Sequence, residues 1–209
     1  MSRLILTRHG ETLWNVQKRV QGWQDSALTE NGRWQAQCLA RRLREESIDY
    51  LYASDMPRAL ATAKAIQECL GLREIITASA LRELSFGEWE GKAWADLKTE
   101  NPEFAKIWES EPHRALIPGG ESFQEVTDRV WDWLQSILEK HPRDTVCIVT
   151  HGLTLKLLIT KALGFALEGW TETPWQHNTA LNILEYQENR FQPVLLGDCG
   201  HLESELAGG

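Results

Sequence analysis

Leu4-Ile5-Leu6-Thr7-Arg8-His9-Gly10 and Val146-Cys147-Ile148-Val149-Thr150-His151-Gly152 are built alike: a continuous apolar run, then a histidine and a glycine. A short run without alternation reads as a strand covered on both faces, the habit of a parallel sheet. Set side by side in parallel, the two strands release both histidines at one sheet edge. That edge, beyond the C-terminal strand ends, is where open α/β sheets carry chemistry.

Working outward, Thr29 caps a helix running to about Glu45, with Ala36, Leu39, Ala40 and Leu43 on one face. Tyr50 to Ala53 reads as a second strand, and Ser54-Asp55-Met56-Pro57 starts a helix with an Ala59, Ala63, Ile66, Leu70 stripe that Gly71 stops. Ile75 to Thr77 reads as a third strand. Ser122-Phe123-Gln124-Glu125 is a capping box, and helical spacing continues to Lys140. Further strands are expected at Ala180 to Tyr186 and Phe191 to Leu196. Strands alternating with helices predict a three-layer α/β/α sandwich around a mainly parallel sheet. Residues 85–121 lack a clear period and carry Gly87, Gly91, Pro102, Pro112, Pro118 and Gly119-Gly120. They read as a cap-like excursion of helices and loops over the C-terminal strand edge, within a single domain of residues 1–209.

With 42% hydrophobic and 25% charged residues, the composition is that of a globular chain able to fold alone. Twenty-two Lys and Arg against 30 Asp and Glu leave a net charge of −8, which opposes nucleic-acid and anionic-membrane partners. A small anion in a local basic pocket remains compatible with that field. Cys38, Cys69, Cys147 and Cys199 have no zinc-ligand spacing and read as reduced, mostly buried thiols. Neither a signal peptide nor a membrane span is expected, so a cytoplasmic location follows. Of the ten tryptophans, Trp131 and Trp133 read as structural, whereas Trp14, Trp23, Trp89 and Trp94 lie beside the motifs below. His113 and His141 read as surface residues.

Arg8-His9, Arg58 at the start of a helix after the second strand, Glu83 after the third, and His151 bring one polar group to each of four strand-to-helix junctions. Phosphomonoester chemistry needs this combination. Two arginines grip phosphoryl oxygens, and a helix N-terminus at Gly152 offers backbone N–H groups to an anion. A neutral imidazole attacks phosphorus, and Arg8 and Arg58 beside His9 hold it neutral near pH 7. A carboxyl group protonates the leaving oxygen when burial or the substrate's charge favours its acid form, a role that suits Glu83. Each residue alone has a plainer reading. Either histidine fits a core position, Arg58 an ion pair with Asp55, and Glu83, Glu88 and Glu90 a solvated acidic face. Their convergence on the ends of separate strands favours the chemical reading.

These residues sit in longer matching stretches: Leu6 to Thr12 with Trp14-Asn15; Gln21-Gly22 with Asp25, Leu28, Thr29 and Gly32; Ser54 to Ala59 with Thr62-Ala63; Leu81-Arg82-Glu83 with Gly87, Trp89, Glu90 and Gly91; Pro118 to Ser122; Val149 to Gly152; and Gly197-Asp198 with His201-Leu202. In them the chain resembles the histidine phosphatase superfamily, the phosphoglycerate mutase-like fold, in its first branch. The resemblance implies His9 as the phosphorylated nucleophile and Arg8, Arg58 and His151 as the phosphate pocket. It also implies contacts from Asn15, Gln21, Gly22 and Gly152, and Glu83 as proton donor. It implies no metal and no cofactor, since the cationic pocket does the work of a metal ion.

Cofactor-dependent phosphoglycerate mutases of that family carry a Tyr three residues after the catalytic Glu and an adjacent Arg pair. Phe86 stands at the first position, and no Arg-Arg pair lies between Glu83 and His151. The resemblance is therefore to small broad-specificity phosphatases, including those acting on α-ribazole phosphate or phosphoserine. The expected partner is a small phosphorylated metabolite, and the candidate assembly a homodimer. The alternatives are a phosphoglycerate mutase, a non-catalytic phosphate-binding relative, and a metalloenzyme, which would need further His or carboxylate ligands at the strand ends. Beyond the phosphate pocket, Trp14, Trp23, Phe86, Trp89 and Trp94 predict an aromatic, weakly charged rim.

Overall fold

A computed structural model describes residues 1–206. Strands β1 (Ser2–Arg8), β2 (Tyr50–Ser54), β3 (Ile76–Ala78), β4 (Thr145–Thr150), β5 (Leu181–Gln187) and β6 (Arg190–Asp198) form one sheet in the order β3-β2-β4-β1-β5-β6. β1 to β4 are mutually parallel, and β5 and β6 run antiparallel at one side. The helices are α1 (Leu13–Val16), α2 (Glu30–Arg42), α3 (Pro57–Leu70), α4 (Trp94–Glu100), α5 (Pro102–Ser110), α6 (Phe123–Lys140), α7 (Gly152–Ala162) and α8 (Gly200–Leu206).

The period-2 geometry of the central strands divides the core. Leu4, Leu6, Val146 and Ile148 face one layer with α6 and α7, while Ile5, Cys147, Val149, Leu51 and Ala53 face the other with α2 and α3. Local chemistry sets the helix ends. Thr29 accepts from the Gly32 N–H at 2.8 Å, Ser122 and Glu125 close a reciprocal cap, Pro57 opens α3 and left-handed Gly71 ends it. α2 stops at Arg42, and the turn expected to continue it to Glu45 tightens into a 3₁₀ segment, Leu43–Glu45.

Residues 85–121 fold as 3₁₀ turns with α4 and α5 around an apolar cluster of their own. Phe86, Trp89, Leu97 and Phe104 meet Phe123 and Val126 of α6 and Leu153 and Leu157 of α7. Trp89 is thus a core residue of this excursion, its ring tilted against that of Phe104 with centroids 4.2 Å apart, and not part of a rim.

His141 also departs from expectation. It is 2% exposed, with Nε2 against the Tyr52 hydroxyl at 2.9 Å, Nδ1 against Asp144 at 3.1 Å and its carbonyl accepting from Ser2. It joins the end of α6 to the N-terminal sheet edge, a tertiary arrangement with no local signal. His113 is half-buried in a 3₁₀ turn, Pro112–Arg114, and its Nδ1 is buried. Cys38 and Cys147 are buried, Cys69 and Cys199 half-buried, and none of the four forms a disulfide. Burial pushes the Cys147 thiol up to about 12, so it stays protonated. Among the described residues no helix is long and apolar enough to cross a membrane.

Candidate active site

Parallel pairing sets Arg8 of β1 opposite Thr150 of β4, so His9 and His151 follow at the same edge with ring centroids 5.2 Å apart. His9 Nδ1 lies 2.8 Å from the Gly10 carbonyl. A carbonyl only accepts, so Nδ1 carries the proton and Nε2 keeps its lone pair. Burial first, then the charges of Arg58 and Arg8, hold His9 well below the ordinary histidine range, with the Gly10 carbonyl opposing. The imidazole is neutral near pH 7 as expected, although burial outweighs the arginines. His151 is held low by burial and then by Arg58, with His9, Arg8 and Arg129 adding to the effect. Its Nε2 meets the Ser54 hydroxyl at 2.8 Å.

Arg58 is fully buried, and its guanidinium donates to Gly22 O at 2.7 Å, Gln24 O at 2.9 Å and Asp25 at 2.8 Å. The expected alternative partner, Asp55, is engaged by Arg82 instead. Arg8 donates to Gln176 O at 2.9 Å, and burial lowers its pKa to about 10, leaving it charged at pH 7. Arg8 Nε, Arg58 Nε and His151 Nδ1 are buried with no hydrogen-bond partner among the described residues. Buried polar groups are normally paired, so two unpaired guanidinium N–H donors and an unpaired imidazole nitrogen on three elements leave hydrogen-bonding capacity that a ligand can take up.

Glu83 faces the start of α7. Its carboxylate accepts from the Thr154 N–H at 3.1 Å, the Leu153 N–H at 3.3 Å and its neighbour Leu84 at 3.0 Å. The helix N-terminus expected to cradle a phosphate is therefore capped by the carboxylate, which satisfies donors that a helix start leaves open. Glu90 also leaves the acidic face expected of it. Its carboxylate takes the N–H groups of Trp23, Gln24 and Phe86, and only Glu88 of the three is exposed.

One cleft collects Arg8, His9, Asn15, Gln21, Gly22, Arg58, Glu83 and Gly152. His151 is 0% exposed and lies behind this wall, beside His9. Asn15 Oδ1 accepts from the Thr12 N–H at 3.1 Å, and Gln21 Oε1 from the Thr12 hydroxyl at 3.0 Å. Of the expected rim, Phe86 and Trp94 line the cleft, joined by four residues that sequence reading missed, Val20, Leu153, Trp175 and Arg19. Arg19 donates to Gly91 O at 2.7 Å and makes the rim more cationic than expected. Trp14 and Trp23 lie outside the cleft lining, and Trp23 instead donates from Nε1 to Glu83 O at 2.9 Å. Trp175 and the Arg8 partner Gln176 come from a loop without periodicity, which carries no sequence signal. Among the described residues no cluster of three or more His, Cys, Asp or Glu side chains is placed to hold a metal ion.

A family model described as the histidine phosphatase superfamily (branch 1) matches residues 4–199. Phosphoglycerate mutase-like protein 4 of Arabidopsis thaliana is 34% identical over 205 residues, 97% of this chain and 87% of the relative. Phosphoserine phosphatase 1 of Hydrogenobacter thermophilus is 33% identical over 97% of this chain and 95% of its own length. Among solved structures, YhfR of Bacillus stearothermophilus superposes with a TM-score of 0.92 at 37% identity, covering 97% of this chain and all of that one.

Proposed function

The chain belongs to the histidine phosphatase superfamily, branch 1, and from that membership we propose that it is a metal-independent phosphomonoesterase for small phosphate monoesters. The observation that carries the proposal is the neutral His9, with Nε2 free, beside Arg8 and Arg58 and in one cleft with Glu83. Arg8, Arg58 and His151 hold the phosphoryl group, and Asn15, Gln21, Gly22 and Gly152 complete the wall around it. His9 Nε2 attacks phosphorus as the P–O bond to the leaving group breaks, the electron pair goes to the leaving oxygen, and Glu83 delivers a proton there. A water then attacks the phosphohistidine, returns a proton to Glu83 and frees phosphate and His9. The arginines neutralise charge on the transferring group, which is the task a metal ion performs elsewhere. Residues 85–121 act as the cap of a single domain.

Hydrolysis is favoured over mutase chemistry by Phe86, an apolar group on the cleft wall, and by the lack of an adjacent Arg pair between Glu83 and His151. The test is chelator-treated protein on a panel of phosphomonoesters, with an assay for interconversion of 3- and 2-phosphoglycerate beside it. Phosphate release insensitive to chelator is expected. Bisphosphate-dependent interconversion faster than phosphate release would overturn the proposal in favour of a mutase.

A further inference from the structure

We propose that Arg129, braced by Glu121, is a positioning residue that sets where Glu83 presents its carboxyl group. The inference rests on the reading of Glu83 as proton donor. Arg129 projects from α6 with a guanidinium only partly exposed and reads the acid loop at two points. It donates to Ala80 O at 2.8 Å and to Glu83 O at 3.0 Å. Its Nε and second amino group grip both oxygens of Glu121, at 2.7 and 2.9 Å. Glu121 in turn holds the far side of the loop: its carboxylate accepts from the Ser85 N–H, and its own N–H donates to Ser85 O, both at 2.9 Å. The backbone at residues 80, 83 and 85 is thus referred to one bidentate ion pair between Arg129 of α6 and Glu121 just before that helix.

The other side of the loop is referred to the phosphate pocket. Trp23 Nε1 donates to the same Glu83 carbonyl, while Arg58 holds the flanking Gly22 and Gln24 carbonyls. Glu83 therefore sits between a guanidinium gripping its loop from α6 and one gripping the phosphate loop. Proton delivery requires donor and leaving oxygen at hydrogen-bond distance, and a misplacement of about 1 Å costs on the order of 100-fold in rate. A lysine at 129 keeps the charge but loses the fork that engages Glu121 and two carbonyls together.

The test compares Arg129→Gln, Arg129→Lys and Glu121→Gln with Glu83→Gln, each assayed with glycerol 2-phosphate and para-nitrophenyl phosphate. The alkoxide leaving group needs its proton, whereas nitrophenolate leaves without one. Loss of positioning should lower kcat/KM, which reports the phosphorylation step and not the later hydrolysis shared by both esters, by about tenfold or more for glycerol 2-phosphate, with a clearly smaller loss for the aryl ester. Arg129→Lys should recover part of the loss. Thermal melting shows which variants remain folded, and Arg129→Lys with Glu121→Gln gives the same comparison if Arg129→Gln does not fold. Equal losses for both esters in folded Arg129 and Glu121 variants, with Glu83→Gln still selective, overturn the positioning role alone. Equal losses in Glu83→Gln overturn the acid assignment, and the positioning role falls with it.

Discussion

The role proposed for His9 rests on one short contact and its surroundings. The Gly10 carbonyl fixes the proton on Nδ1, and burial with two guanidinium groups disfavours a second proton, so the Nε2 lone pair stays available. His9→Ala removes the proposed nucleophile and leaves both arginines in place. Turnover should fall by about 10³-fold or more while inorganic phosphate still inhibits residual activity or shifts the melting temperature. Native enzyme mixed briefly with ³²P-labelled substrate and quenched should carry an acid-labile, base-stable label at His9. Substantial metal-free activity of His9→Ala, or the label on a hydroxyl side chain, would sink the covalent route.

At the scale of elements, the loop at residues 21–24 is a tight fit between helix α3 and the segment 85–121. Gly22 has φ +54°, and a Cβ there would lie 2.2 Å from a Glu90 carboxylate oxygen already engaged by the Trp23 and Phe86 N–H groups. Gly22→Ala therefore meets both backbone strain and a neighbour that cannot yield without breaking its own bonds. The loss should be about 1–3 kcal/mol, measured by urea unfolding, together with raised KM because the Gly22 carbonyl orients Arg58. Stability within error of the parent would show that the loop relaxes freely. Much of this arrangement was legible in the sequence, because each histidine ends a continuous apolar run and Arg58 and Glu83 follow strands of the same sheet. Other parts were not. That Glu83 caps α7 depends on which helix begins beside its loop, the burial of His141 on a meeting of helix end and strand, and Trp175 on a loop that only tertiary contacts place. Neither propensity nor periodicity encodes such meetings.

The whole molecule carries a net charge of −8, yet one cleft gathers Arg8, Arg19 and Arg58 around a buried histidine, and the cost of that burial shows in its response to pH. His9 and His151 are both held below the ordinary value of 6.5, chiefly by burial. Below pH 6.5 the unfolded chain takes up protons that the folded chain refuses, so stability falls as pH falls from there toward the depressed folded values. The slope approaches about 1.4 kcal/mol per pH unit for each histidine. Carboxylates held low in the folded state, such as Asp55 by Arg82 and Glu125 by Ser122, have ordinary values of 3.8 and 4.5 and make their losses mainly at lower pH. The interval from pH 6.5 to 5 thus reports mainly on histidine. Urea midpoints across it should decline in the native chain and decline less steeply in His9→Ala, whatever the baseline stability of that variant. His201, also lowered by burial, contributes equally to both proteins and cancels from the comparison. Parallel slopes for the two proteins would mean that His9 takes up its proton in the folded state as readily as in the unfolded chain, and the neutral nucleophile would lose its physical basis.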